Sequence, residues 1–325
     1  MSNETNTNNL FDFATRELSQ DAYLCWLINW INFKENTKLY NVARKFLNYI
    51  VKQKELNIED YIIKPHRQYK KIDVYIELLN KDNRKLEYAI IIEDKKFTSE
   101  RKDQLKDYKE KIKKITKLPD DRIITGYYKP YDELYSINPG TIHIKREDML
   151  NEILNEDIDN NIYMDYKKYL ERIENNCNNI KSFKLCDWEN HKELYYKFAS
   201  EYNKKITNSN LKMYINQNGW YLDWYKINPP KRYNGYIDKI YLSATVNDLR
   251  IRAYLKENVQ YNEKLRKQLE KEIKEISTKL QPQSYYNRKG LKSLYLARFK
   301  LKSNANYDDL IEGMKQLEDI LKKLK

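Results

Sequence analysis

The sequence predicts an α/β protein with a mixed central sheet in its N-terminal half and an α+β domain in its C-terminal half. Three observations carry this. Apolar residues recur at helical spacing over 20–53. Three strand-like runs follow in quick succession at about 60–68, 72–79 and 86–95. A charged helix then precedes further strand runs at 121–129 and 141–145. Two helices, a three-strand meander, a helix and a strand make an α/β core.

The elements follow in order. Ser19 reads as the N-cap of a helix over Gln20–Phe33, with Tyr23, Leu24, Leu27, Ile28 and Ile31 on its apolar face. Val42, Phe46, Leu47 and Ile50 mark a second helix over about 38–53. The polar stretch 80–85, Asn-Lys-Asp-Asn-Arg-Lys, reads as a hairpin connection. A helix at about 100–117 carries the stripe Leu105, Tyr108, Ile112 and Ile115. Residues 146–205 read as helical and charged, with a weak break near Ser182–Asp187 that we take as the domain boundary. Strand patterns return at Leu211–Ile215, Trp220–Ile227, Gly235–Ala244 and Asp248–Leu255, with a hairpin signal at Asn218-Gly219. A Lys/Glu-rich helix over 259–278, read as a solvated face, a strand over 291–300 and a helix over 306–324 end the chain. The expected organisation is a flexible 1–10, a first domain over 11–182 and a C-terminal domain over 183–325.

The chain of 325 residues carries 61 Lys+Arg against 48 Asp+Glu, a formal net charge of +13. That balance favours a polyanionic partner, nucleic acid before an anionic membrane surface. An AT-rich coding bias toward Lys, Asn, Ile and Tyr also feeds it. Three cysteines with no metal-ligand spacing argue against a disulfide framework and fit a reducing cytoplasm. The polar N-terminus is not a signal peptide, and no apolar run approaches the roughly 20 residues that span a bilayer. None of the six glycines forms a phosphate-cradling loop, which excludes the usual ATP and dinucleotide binders.

The chemistry concentrates between Ile72 and Tyr108. Strand alternation puts Asp73, Tyr75 and Glu77 on one face of their strand. Glu93 and Lys95 share a face of the next, and Asp94 points away. Residues 89–92 are apolar on both faces, so this strand is central, and ionisable groups at its end are costly unless paired or metal-bound. Pairing through 80–85 sets Asp73 beside Glu93. Mg²⁺ suits two carboxylates that leave room for waters and phosphate oxygens, and the backbone carbonyl of Asp94 offers a third protein oxygen. Lys95 would orient or deprotonate a water, or stabilise charge on a phosphate. Gln104 and Tyr108 stack on one helix face. From Glu100 to Leu118 there are eight Lys/Arg and four Asp/Glu, a basic helix suited to a phosphate backbone.

At these residues the chain resembles the PD-(D/E)XK nuclease superfamily. Asp73 with Glu93-Asp94-Lys95 matches the D…E-x-K signature, and Gln104-Leu-Lys-Asp-Tyr108 matches the Q-x-x-x-Y extension of its RecB-like branch. Ile72 stands where the name-giving proline would be. The match covers roughly residues 8–145, and the opening Asn-Leu-Phe-Asp-Phe-Ala-Thr-Arg-Glu-Leu-Ser-Gln-Asp-Ala-Tyr resembles a bacterial group within the superfamily. The resemblance implies a restriction-endonuclease-like αβββαβ core, Mg²⁺ or Mn²⁺, and phosphodiester hydrolysis, of DNA before RNA. It implies Asp73 and Glu93 as metal ligands, Lys95 as the catalytic lysine, and Gln104 and Tyr108 as supporting residues. An acid on the first helix also joins such sites, with Glu17 the best match and Asp21 the second. Family analogy places the activity in anti-phage defence or a mobile-element system.

Each residue also has a plainer reading. Glu17 suits a helix start through the dipole alone. Glu77 reads as a surface acid, His66 as structural, Arg67 and Lys71 as a solvated basic edge, and Cys25 as a buried helix residue. Of Trp220, Tyr221, Trp224 and Tyr225, alternation makes one pair core and leaves the other as a base-stacking candidate. The rival function is an inactive nuclease fold that binds nucleic acid or protein. A homodimer or a partner protein held through the C-terminal domain is a further expectation.

Overall fold

The computed structural model describes residues 8–98, 101, 103–205, 211–216, 219–260, 262–277, 280–282 and 292–324. The chain divides into two compact units, 1–175 and 176–325, earlier than the expected 182/183 boundary.

The first unit opens with a short helix α1 (Leu10–Phe13). Asn9 caps it and donates to the Asp165 carbonyl at 2.7 Å, so the expected loose start is anchored from Asn9 onward. Helix α2 (Glu17–Asn29) starts before Ser19. Arg16 is its N-cap and Ser19 lies in the first turn, where the carboxylate of Glu17 meets the positive end of the helix. Helix α3 (Thr37–Val51) is capped by Asn36, whose side chain accepts from the Leu39 N–H, and buries Leu39, Val42, Phe46, Leu47 and Ile50.

Strands β1 (Tyr61–Tyr69), β2 (Ile72–Asn80) and β3 (Leu86–Asp94) form an antiparallel meander. Helix α4 (Gln104–Thr116) then leads to β4 (Ile123–Lys129) and β5 (Ile142–Lys145), which continue the sheet in parallel. The order is β1-β2-β3-β4-β5. This is the mixed sheet expected. Strand β3 is central, and Ala89–Ile92 are fully buried on both faces. Pro65, which has no N–H to donate, lies on the edge strand β1. Helices α2 and α3 pack on one face of the sheet. Helix α4 packs on the other, where Leu105 and Ile112 join Tyr75, Ile91 and Tyr127. Ile115 is exposed and does not extend that stripe. The unit continues through a short helix α5 (Arg146–Asp148), a π-helical turn (Met149–Ile153) and helix α6 (Asn161–Asn178), within whose last turn the division at 175/176 falls.

Tyr69 pairs with Ile72 around the two-residue turn Lys70-Lys71, whose φ angles of 54° and 74° lie in the left-handed region. Such a turn favours Asn-Gly, because a side chain at positive φ is strained. The double change Lys70→Asn, Lys71→Gly is expected to raise stability by about 1 kcal/mol. A higher urea midpoint at unchanged slope would show it.

The second unit holds helix α7 (Lys192–Lys205) and strands β6 (Lys212–Asn216), β7 (Gly219–Ile227), β8 (Ile237–Ala244) and β9 (Asp248–Leu255). Helix α8 (Glu263–Ile276), strands β10 (Gln281–Pro282) and β11 (Ser293–Lys300) and helix α9 (Tyr307–Lys323) complete it. The sheet is antiparallel throughout, in the order β10-β11-β9-β8-β7-β6. The β6–β7 hairpin closes at Asn216↔Gly219. Asn218, half of the expected turn signal, is outside the described residues. Trp220 and Trp224 are buried, so the tryptophans are the core pair. Helix α8 is not merely a solvated face. Its charges hide an apolar stripe, and Leu265, Leu269 and Ile273 are buried. Helix α9 starts with a reciprocal cap between Asn306 and Asp309. Among the described residues, no helix is long and apolar enough to cross a membrane.

Candidate active site

The register Val74↔Ile92 sets Asp73 opposite Glu93 at one end of the meander, and the Asp73 Oδ2 accepts from the Asp94 N–H at 3.0 Å. Lys95 follows on the same face as Glu93, held by its N–H to the Tyr128 carbonyl at 3.0 Å. Its ammonium is the meeting point of the groups expected to bind metal. It pairs with Glu93 Oε1, donates to the Asp94 carbonyl at 3.3 Å and lies 3.7 Å from Asp73 Oδ2. Glu93 is fully buried, with Lys95 as the cation on its Oε1.

These positions dictate the electrostatics. Burial first, and then the neighbouring Asp73, push the Glu93 carboxyl up to about 8, despite Lys95. Burial alone would lower Lys95, but Glu93 and Asp73 outweigh it and hold the ammonium above its ordinary range. Burial also raises Asp94, helped by Asp21.

Asp94 points to the opposite face, toward α2. Gln20 Nε2 donates to its Oδ1, and its carboxyl is hydrogen-bonded to that of Asp21. Asp21 is also buried and is raised to about 6, by burial first. Tyr128 and Tyr166, hydrogen-bonded to each other at 2.6 Å, lie close enough for the Asp94 charge to act on both. Tyr23 stacks on Tyr166 at 3.7 Å.

Glu17 lies at the start of α2 and accepts from the Lys96 N–H at 3.0 Å, so it anchors the chain just beyond Lys95. Gln104 is buried at the start of α4. Its Nε2 donates to Tyr108 Oη at 2.9 Å, and its Oε1 accepts from the Arg101 N–H at 3.3 Å. Burial raises the Tyr108 hydroxyl, and the charges of Glu93, Asp73 and Lys95 all act on it, which places it beside the acidic group. His66 stacks on Tyr75 and meets Glu77 at 3.2 Å, a contact away from Asp73 and Lys95. Cys25 is half-buried, and burial pushes its thiol up to about 12.

Two residues were missed in the sequence. Gln68 Nε2 bridges Asp21 Oδ2 at 2.7 Å and Asp73 Oδ1 at 3.0 Å, from a backbone with φ of 54°. Gln20 was the other. Its signal was present, since Glu17, Gln20 and Asp21 share one face of an otherwise apolar helix.

Among the described residues, no three His, Cys, Asp or Glu side chains form a group that could hold a metal ion. The donors that do converge are two carboxylates and one carbonyl, on the Lys95 ammonium. With the ammonium displaced, the buried Glu93 carboxylate would be left for a hard cation to satisfy. An all-oxygen set with few carboxylates suits Mg²⁺ or Mn²⁺.

The Glu93 carboxyl makes a pH prediction for the metal-free protein. Between its unfolded value of 4.5 and its folded value of about 8, the folded chain holds the extra proton. Stability therefore falls as pH rises through that window, by up to about 5 kcal/mol. In EDTA, Glu93→Gln should match wild type near pH 5 and exceed it near pH 9. Parallel pH profiles of melting temperature would contradict this.

No family model matches the chain, and neither a curated protein nor a solved structure matches it.

Proposed function

We propose that the protein is a divalent-metal-dependent nuclease that hydrolyses phosphodiester bonds, DNA before RNA, with a restriction-endonuclease-like core in the first unit. The observation that carries this is the convergence of Asp73, Glu93 and the Asp94 carbonyl on a single cation, here the Lys95 ammonium. Those three groups would hold Mg²⁺ or Mn²⁺. The bound ion supplies a polarised phosphoryl oxygen and a water of lowered pKa. Displaced from the carboxylates, Lys95 has its charge available to the scissile phosphate. Its raised pKa favours this role over that of a general base. Gln104 and Tyr108 position the phosphate through the hydrogen bond that ties them together. Gln68 holds Asp73 from the far side, and Glu17 anchors the chain after Lys95.

A second reading is a non-catalytic nucleic-acid-binding module. The absence of a three-acid group among the described residues favours it. Family analogy alone suggests a defence or mobile-element setting. An assay on circular DNA, linear DNA and RNA, with Mg²⁺, Mn²⁺ or EDTA, tests the proposal. Cleavage that requires metal supports it, and intact substrates in every metal condition favour the module.

A further inference from the structure

The sheet of the second unit has two unlike faces. Leu249, Ile251 and Ala253 of β9 are buried on the α9 side, where Leu249 Cδ1 comes so near Gly313 that an added Cβ would sit 2.7 Å from it. Trp224 is on that side too, donating to Glu318 of α9 at 3.0 Å. The other face is basic and aromatic. One row across four strands reads Lys226, Tyr241, Arg252 and Tyr295. At the usual strand spacing it spans about 14 Å. The next row contains Lys239, Tyr254 and Ser293. A third row carries Lys212, Asp223, Ser243, Arg250 and Arg298.

The contacts in these rows are planar and cationic. Tyr254 stacks on Tyr241 at 4.2 Å with 13° between the rings. The Arg252 guanidinium lies 4.4 Å from the Tyr295 ring and 5.2 Å from that of Tyr241. Cross-strand pairs of this kind stabilise a sheet by themselves, which is the plain reading of those contacts. The charge excess is not explained in that way. Asp248 neutralises Arg250 at 2.6 Å. Among the described residues, no carboxylate forms an ion pair with Lys226, Arg252 or Arg298, and the buried Nε atoms of both arginines lack hydrogen bonds. Burial first, and then Lys212, hold Lys226 below its ordinary range, although the buried Asp223, which also feels Arg252 and Lys212, pulls the other way; one carboxylate thus stands among three cations.

We infer that this face binds single-stranded nucleic acid, with phosphates on Lys226, Arg252 and Arg298 and bases stacked on the half-buried Tyr254 and Tyr295, the buried Tyr241 backing Tyr254. Duplex bases are already stacked on each other, so a stacking platform selects single strands. The face belongs to the second unit and the groups proposed to hold metal to the first, so binding is expected without metal.

The test is fluorescence anisotropy of the full chain in EDTA, with labelled single-stranded oligothymidylate, oligouridylate and a blunt duplex of equal length. Wild type should bind the single strands more tightly than the duplex. The double reversal Lys226→Glu, Arg298→Glu should weaken binding by tenfold or more and flatten the log–log salt dependence by about 1.4 or more. Tyr254→Leu should weaken binding about fivefold or more at an unchanged salt slope. Lys226→Gln, which adds no acid, should give part of the charge effect and serves if the double variant fails to melt like wild type. No binding by wild type, equal or tighter binding of the duplex, equal competition by polyglutamate, or unchanged affinity in variants that melt like wild type would each overturn the inference. Loss of cleavage has no bearing on it, because no metal is present.

Discussion

Glu93→Ala and Lys95→Ala are each expected to reduce metal-dependent cleavage by about 10³-fold or more, with the fold retained. The size follows from what the two side chains do. Among the described residues, Glu93 is one of two carboxylates that pair with the Lys95 ammonium, so its loss leaves Asp73 and a carbonyl, too little to hold a strongly hydrated Mg²⁺. In the proposed reaction Lys95 supplies positive charge to the scissile phosphate. The two variants should differ in one respect. Removing Glu93 should abolish metal affinity, whereas removing Lys95 should preserve or strengthen it, because the ammonium competes for the same oxygens. Variants that cut as fast as wild type would refute the assignment.

Trp224→Ala is expected to destabilise the second unit by about 3–5 kcal/mol. The indole is fully buried, and its Nε1 donates to Glu318 Oε1, which also accepts from Tyr202 at 2.8 Å. Truncation opens a cavity and leaves the glutamate short of one donor. Hydrogen exchange of β7, β8 and β9 should accelerate in step with that loss. If exchange in these strands is unchanged, the ring contributes little to this core.

The site was legible where it depends on period and order. Alternation along residues 72–79 and 86–95 and the polar 80–85 connection bring Asp73 opposite Glu93, and the observed register does the same. The apolar run Ala89–Ile92 marked the central strand, and helical spacing put Gln104 next to Tyr108. The α2 side of Asp94 was not legible, because Gln20 and Asp21 reach it only through packing of a helix on the sheet. Gln68 escaped notice because its reach to Asp21 and Asp73 depends on a left-handed backbone that a glutamine does not advertise. Nor could the sequence show that the Lys95 ammonium would sit among Glu93, Asp73 and the Asp94 carbonyl. In the second unit, alternation separated Trp220 and Trp224 from Tyr221. The basic and tyrosine-rich rows appear only once four strands are in register.

The most direct test of the metal centre is a calorimetric titration of the purified chain with Mn²⁺ and Mg²⁺, alone and with DNA. Wild type is predicted to bind the ion, with affinity rising as pH increases toward 8 and Glu93 gives up its proton. Asp73→Asn and Glu93→Gln are predicted to lose that binding. No binding by wild type in either setting, or undiminished binding by both variants, would contradict the account.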